Sequence, residues 1–208
     1  NATFSGAFGG GTISLGAGDD TVTFNATAIA GTTLTSSDTL NIAGGVVSGL
    51  TIDAAASSGD YVFLTGTNTV AFSAIGAGAQ VSFGSNNDMA TFTGAIGAGS
   101  IYGGTGGDTF AFSGDVASGA TIDAGAGADS LYFATADLSG SNISSTFTGN
   151  GADTFNLQGT NTVIFGALSS ATSQVSFGSG RDFATFSGTI GAASIYGGTA
   201  ADTLRFGG

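Results

Sequence analysis

The sequence predicts an all-β fold, a right-handed parallel β-solenoid in which the chain winds into about nine stacked coils of roughly 20 residues. Three observations lead to this fold class. Large blocks of sequence recur in register, a glycine-rich turn with an aspartate returns at a finer period, and a short strand with alternating apolar residues follows each turn. Glycine and β-branched residues interrupt every window in which a helix could form.

The largest repeat is a unit of 88 residues, measured from Asp20 to Asp108, or 94 residues, measured from Asp108 to Asp202. We therefore treat residues 1–208 as a single solenoid segment, about 2.2 copies of this unit, from a longer repetitive chain. Three blocks that align without a gap define the unit: NATFSGAFGGGTISLGAGDD (1–20), MATFTGAIGAGSIYGGTGGD (89–108) and FATFSGTIGAASIYGGTAAD (183–202).

Nine aspartates mark the finer period, and each of them opens a short apolar run. Most neighbouring members of this series are separated by about one coil length. The two longest gaps run from Asp60 to Asp88 and from Asp153 to Asp182, and both contain the segment GTNTV, which indicates an inserted strand or a wider coil at these two places. The nine residues are Asp20, Asp38, Asp60, Asp88, Asp108, Asp129, Asp153, Asp182 and Asp202.

The strand after each aspartate has apolar residues two and four positions later, as at Phe110 and Phe112. Alternate residues of a strand share one face, so these pairs should point inward, and the fourth-position Phe and Leu side chains should stack into an internal ladder. The competing fold is a β-sandwich with many glycine turns. A sandwich does not explain why whole 20-residue blocks recur in register.

Composition excludes several classes of function. The formal net charge is −12, and Arg181 and Arg205 are the only basic side chains, so the chain lacks the positive surface that binds nucleic acid or an anionic membrane. Without Cys or His there is no disulfide scaffold and no thiolate or imidazole zinc site. No apolar run has the length of a membrane-spanning helix, and we expect a mature fragment of a longer protein.

Stacking the coils would place each aspartate roughly 5 Å from the next one, the spacing between neighbouring strands. At an effective dielectric constant near 20, two carboxylates at that distance repel by about 3 kcal/mol. A divalent cation bound by carboxylate and turn carbonyl oxygens would remove the repulsion and join adjacent coils. Calcium is therefore the expected cofactor. In the alternative, the aspartates only make tight turns and face solvent.

The turns resemble the nonapeptide G-G-x-G-x-D-x-U-x of the RTX (repeats-in-toxin) family, where U is a large apolar residue. GGTGGDTFA (103–111) matches in full, and three further segments match except at the first glycine. FGSGRDFAT (177–185) and GGTAADTLR (197–205) are looser matches. The resemblance implies a secreted bacterial protein, a parallel β-roll and Ca²⁺ held between equivalent turns of neighbouring coils. The three near matches are AGAGADSLY (124–132), TGNGADTFN (148–156) and LGAGDDTVT (15–23).

The motif occurs here once per coil, whereas the family pattern repeats every nine residues. We therefore expect one calcium edge and one plain edge. Asp108, Asp129 and Asp153 are the strongest candidates because their turns are consecutive, and Asp182 and Asp202 form a looser pair. The candidate metal-binding residues are Asp20, Gly104, Gly106, Asp108, Gly125, Gly127, Asp129, Gly149, Gly151, Asp153, Asp182 and Asp202.

Other aspartates receive weaker assignments. Asp19 could strengthen the Asp20 site. Asp53 and Asp123 are predicted to be solvated turn residues, which could add a carboxylate to a calcium site. Asp115 and Asp137 read as ordinary surface charges.

The expected function is structural: a calcium-stiffened solenoid segment of an S-layer, sheath or surface fibre, exported to the bacterial cell surface or beyond. Its partners would be further coils of the same chain, other copies in a filament or lattice, or surface polysaccharide. The alternative is an adhesin stalk or ligand-binding module, including an ice-binding one, because threonine follows five of the nine aspartates. No enzyme activity is expected, since no unique polar cluster breaks the repetition. The five threonines are Thr21, Thr39, Thr109, Thr154 and Thr203.

Overall fold

The computed structural model describes residues 1–6, 20–25, 28–30, 33–34, 39–52, 59–117, 119–134, 141–143, 153–158, 160–166, 168 and 172–207. These residues form an all-β, parallel β-solenoid, which confirms the predicted fold class. Among them there is no helix, and so none long and apolar enough to cross a membrane.

The strands of the described residues form two parallel stacks, and consecutive coils contribute one strand to each. Stack 1 contains β1 (Ala2–Phe4), β2 (Thr21–Phe24), the first parts of β5 (Thr39–Ile52) and β6 (Tyr61–Ala74), β7 (Gln80–Ser82), β9 (Ser100–Tyr102), β11 (Thr121–Asp123), β13 (Ser141–Ile143), β15 (Thr162–Phe165), β17 (Phe183–Phe186) and β19 (Thr203–Phe206). Stack 2 contains β3 (Ala28–Ala30), the later parts of β5 and β6, β8 (Met89–Phe92), β10 (Thr109–Phe112), β12 (Ser130–Phe133), β14 (Thr154–Leu157), β16 (Gln174–Phe177) and β18 (Ser194–Tyr196). The short β4 (Thr33–Leu34) pairs with the end of β5.

Each coil therefore has two turn regions. We call the side where the chain passes from stack 1 to stack 2 edge 1, and the side where it returns to stack 1 edge 2. Turns 83–88 and 103–108 lie on edge 1, and segments 93–99, 113–117 and 119–120 lie on edge 2. The described residues account for about 7 turns of the solenoid, slightly fewer than the nine expected.

The space between the two stacks is filled by the apolar residues that the alternation predicted. Phe92, Phe112 and Phe133 are buried, and their rings stack with centroid separations of 4.7 and 4.6 Å. These separations match the spacing of hydrogen-bonded strands, so a phenylalanine in every one of these coils forms a continuous ladder. Phe206 differs from the prediction: it stacks on Phe186 at 5.2 Å, but 60% of it is exposed because β19 is paired on one side only, with β17.

The large repeat unit contains four and a half coils, not a whole number. The strand of its first block is β1, in stack 1, and the strand of its second block is β8, in stack 2. The third block returns to stack 1 with β17. The half coil also accounts for the two long aspartate gaps, because each GTNTV segment supplies a strand that shifts the next aspartate to the other edge.

Candidate cation site: the aspartate ladders

Glycine in the turns allows the backbones of successive coils to touch. Gly104 and Gly125 occupy equivalent positions in neighbouring turns, with φ of +90° and +89°. A Cβ on Gly125 would lie 2.1 Å from the Gly104 carbonyl oxygen, a distance that no side chain could accommodate. The N–H of Ala126 donates to that oxygen at 2.9 Å, so the turns are hydrogen-bonded to one another along the stack. The glycines set the close approach that brings the aspartates together.

Four aspartates of edge 1 form a hydrogen-bonded series, which we call ladder 1: Asp88, Asp108, Asp129 and Asp153. From the second member on, each carboxylate Oδ1 accepts the backbone N–H of the preceding aspartate in the series, at 2.8, 2.8 and 2.9 Å. All four residues are at most 2% exposed. The aspartates therefore lie inside the turns, and the alternative in which they face solvent is wrong for this ladder.

Asp182 and Asp202 form a second series, ladder 2, in which Asp202 Oδ1 accepts the N–H of Asp182 at 3.0 Å. They precede β17 and β19, both strands of stack 1, so ladder 2 lies on edge 2. The expectation that the aspartate turns occupy a single edge is wrong. The half coil in each repeat unit moves the aspartates from one edge to the other.

The second carboxylate oxygen, Oδ2, distinguishes the first three members of ladder 1 from Asp153. The Oδ2 atoms of Asp88, Asp108 and Asp129 are buried and have no hydrogen-bond partner in the part of the chain that the structure describes. A Cβ built on Gly103 would lie 2.9 Å from Asp108 Oδ2, so this oxygen lies within its own turn. An unpartnered buried oxygen on a charged group is costly, and it requires either a proton or a cation.

Electrostatics of the ladder follow from this burial. The pKa of Asp108 is raised to about 7, mainly by burial and to a smaller extent by the charges of Asp129 and Asp88, against the lowering effect of the N–H of Asp88. Burial likewise raises the pKa of Asp129 to about 6, against the N–H of Asp108. At neutral pH a bare ladder 1 would therefore carry carboxylates that the fold disfavours in their ionised form.

Burial also raises the pKa of the outer aspartates, but side-chain donors oppose it there. At Asp88 the groups that lower the pKa are the side chain and backbone N–H of Asn68. At Asp153 they are the N–H of Asp129 and the Ser173 hydroxyl.

The donors of ladder 1 fit a hard divalent cation. Ca²⁺ takes oxygen ligands, and the ladder offers buried carboxylate oxygens that are unpartnered at Asp88, Asp108 and Asp129. Within the described residues no three acidic side chains converge on one point. A cation would accordingly be shared by two carboxylates from neighbouring coils, with backbone carbonyls or water completing its shell.

The remaining sequence candidates fall in different places. Asp20 precedes β2 on edge 2, and its side chain is 31% exposed. Asp123 ends β11, is half-buried, and its Oδ1 accepts the N–H of Gly125 at 3.0 Å, so it belongs to the turn and not to the ladder. Asp115 is exposed, as expected. Several candidates lie outside the described residues: Asp19, Asp38, Asp53, Asp137, Gly149 and Gly151.

Two members of the site are not among the candidates that the sequence supplies. Asp88 is absent from that set because its turn reads FGSNND, with Phe83 and Asn86 where the motif has glycine. Asn68 has no motif that would assign it a role, although its position before a stack 2 strand is equivalent to that of Asp88. The signal for both residues is their register, since Asn68 and Asp88 are 20 residues apart, the length of one coil.

Two other features bear on alternative functions. The five threonines are divided between the stacks, with Thr21, Thr39 and Thr203 on stack 1 and Thr109 and Thr154 on stack 2, so they do not form one continuous ladder. A depression of about 560 Å³ at the β19 end is lined by residues that carry no charge: Ser187, Gly188, Thr189, Ile190, Phe206 and Gly207.

Comparison with known proteins finds no matching family model, no matching curated protein and no matching solved structure. The resemblance to RTX proteins therefore depends on the nonapeptide motif alone.

Proposed function

We propose that this chain is a calcium-stabilised β-solenoid that serves as a structural segment of an extracellular or bacterial cell-surface protein, such as an S-layer, sheath or fibre. The observation that carries the proposal is ladder 1, in which buried carboxylates stand one above another with Oδ2 atoms unpartnered at Asp88, Asp108 and Asp129 among the described residues. Calcium would neutralise these charges and tie consecutive coils together. The role is mechanical and not catalytic.

The calcium affinity expected of this site favours an extracellular location. A site with two carboxylates and few rigid ligands resembles extracellular calcium modules, which bind with Kd values of about 10⁻⁴–10⁻³ M. Such a segment would stiffen on export into a calcium-rich medium, because binding to the folded state alone adds to its stability.

The test combines ion counting with thermal unfolding of the whole chain. Chelator-treated protein is titrated with Ca²⁺, and bound ions are counted by native mass spectrometry while circular dichroism follows the melt. At 100 times Kd, one site adds about 2.7 kcal/mol, which corresponds to a rise in Tm of about 5–10 °C. Mg²⁺, which demands a rigid octahedral shell, is the matched control and should give a smaller rise. No bound Ca²⁺ and an unchanged melt would overturn the proposal.

We extend the proposal to assembly. Phe206 continues the phenylalanine ladder from Phe186 and is 60% exposed on its outer side. Another parallel strand can pair with the outer edge of β19 and cover that ring, and it can come from further coils or from a second copy. Light scattering over a concentration series tests the second source: association should increase with concentration, and a monomer throughout would reject it.

A further inference from the structure

The ends of ladder 1 are built differently from its interior. The residue one coil before Asp88 in the same register is Asn68, which is 1% exposed. Its backbone N–H donates to Asp88 Oδ1 at 2.7 Å, as an aspartate of the ladder would, and its side-chain Nδ2 donates to the same oxygen at 2.9 Å. In the interior of the ladder, neighbouring coils each contribute a carboxylate. At this end, the neighbour of the Asp88 carboxylate is an amide N–H.

The other end of ladder 1 also carries a neutral donor. Ser173 follows Asp153 in the same register and is 1% exposed. Its hydroxyl donates to Asp153 Oδ2 at 3.3 Å. The Oδ2 that is unpartnered at Asp108 and Asp129, within the described part of the chain, is therefore occupied at Asp153 by a hydrogen bond from the protein itself.

Ladder 2 begins in the same way as ladder 1. Asn161 lies one coil before Asp182, and its N–H and Nδ2 both donate to Asp182 Oδ1 at 2.7 Å. Asn68 and Asn161 belong to the two GTNTV segments, at which the aspartates change edge. The same amide geometry thus occurs at two independent places, each time at the start of a ladder.

We propose that Asn68, Asn161 and Ser173 terminate the cation-binding ladders. Each places a neutral hydrogen-bond donor where the next cation would have to bind, so that cations are confined to contacts between two aspartates. The amide nitrogen of Asn68 cannot act as a ligand for a hard cation, and together with the backbone N–H it occupies Asp88 Oδ1. Asp88 Oδ2 stays unpartnered among the described residues and is left for the contact with Asp108, and the unpartnered side-chain oxygen of Asn68 carries no charge. In ladder 1 this leaves three aspartate–aspartate contacts: Asp88–Asp108, Asp108–Asp129 and Asp129–Asp153. The inference depends on the proposed calcium function.

The decisive variant is Asn68→Asp, which replaces the amide by a carboxylate and creates a fourth contact. In the full chain it should bind one more Ca²⁺ than the wild type by native mass spectrometry. In chelator its Tm should fall by about 2–4 °C or more relative to wild type, and saturating Ca²⁺ should restore it. The control is Asn156→Asp, which adds the same charge on the outward face of β14 and should bind as many ions as wild type.

Each outcome is decisive. Wild-type protein without bound Ca²⁺ rejects the proposed function, and the role of the terminators with it. If wild type binds Ca²⁺ and Asn68→Asp binds the same number, calcium binding stands but the terminator role is wrong. An extra ion in Asn156→Asp as well would show that any added surface charge recruits calcium, which also rejects it. Should Asn68→Asp not fold, Ser173→Asp extends the ladder at its other end and is interpreted in the same way.

Discussion

Replacing Asp108 by asparagine should change stability in opposite directions with and without calcium. The Asp108→Asn side chain keeps an Oδ1 acceptor for the Asp88 N–H, which lies at 2.8 Å, and removes the charge. The native chain already accommodates an asparagine in this register, because Asn68 donates its Nδ2 to Asp88. We therefore expect the new amide to donate to the Asp129 carboxylate in the same manner.

The magnitude follows from the pKa of Asp108. Raising it from the ordinary value of 3.8 to about 7 disfavours the ionised form in the fold by about 4 kcal/mol. The effective dielectric constant of a protein interior, near 20, reduces this cost, and we expect about 2 kcal/mol. At pH 8 in chelator Asp108→Asn should therefore increase the free energy of unfolding by about 2 kcal/mol. In saturating Ca²⁺ it should decrease it, since two aspartate–aspartate contacts lose a ligand.

Urea unfolding at pH 8, in chelator and in Ca²⁺, measures both effects. Asp115→Asn removes an exposed carboxylate and should leave both curves within about 0.5 kcal/mol of wild type. A destabilised Asp108→Asn protein in chelator would show that the bare carboxylate is not under strain. An equal gain with and without Ca²⁺ would show that Asp108 binds no ion.

Three further predictions concern the ladder and the core. In chelator, the free energy of unfolding should fall as pH rises from about 4 to about 7, because the raised pKa of Asp108 favours the protonated carboxyl in the fold and this stabilisation is lost as the carboxyl ionises. Chemical unfolding at several pH values measures the effect, and a flat profile would contradict it. Phe112→Ala should lower the free energy of unfolding by about 3–5 kcal/mol, because the buried ring stacks on a neighbouring ring on both sides. Tyr132→Ala on the outward face should lower it by about 1 kcal/mol or less, and equal losses would mean that the phenylalanine ladder is not the core. Gly127→Ala should lower the free energy of unfolding by about 3 kcal/mol or more, since φ is +146° and the new Cβ would lie 1.5 Å from the Gly106 oxygen. The control is Gly6→Ala, whose Cβ meets nothing within 4 Å, and similar thermal melts for the two variants would reject the close approach of the turns.

The coil and its core could be predicted because they follow from local periodicity. Strand alternation identified Phe112 and its counterparts, and the 20-residue block identified the stacking partner of each strand. Depth inside the turn could not be derived in this way. Whether Asp108 faces solvent or the interior depends on how closely the Gly104 and Gly125 backbones approach each other, and the spacing of residues along the sequence does not give that distance.

The sequence contains the signal for the change of edge, but the spacing of the aspartates indicates only the extra strand and not the change itself. The gap between Asp60 and Asp88 is one coil plus a strand, and a strand is half a coil. The prediction includes the extra strand but not its consequence, because counting aspartates along the chain does not show on which side of the solenoid each one lies. Asn68 escapes prediction for a related reason, since a single asparagine has no motif of its own.

The half-integer repeat has an electrostatic consequence. Ladder 1 lies on edge 1 and ladder 2 on edge 2, because the half coil turns the aspartates to the opposite side of the solenoid. A rod built from such units would carry its acidic turns on alternating sides, changing side about every 22 Å at about 4.8 Å per coil. A repeat of four or five whole coils would instead place every acidic turn on one side.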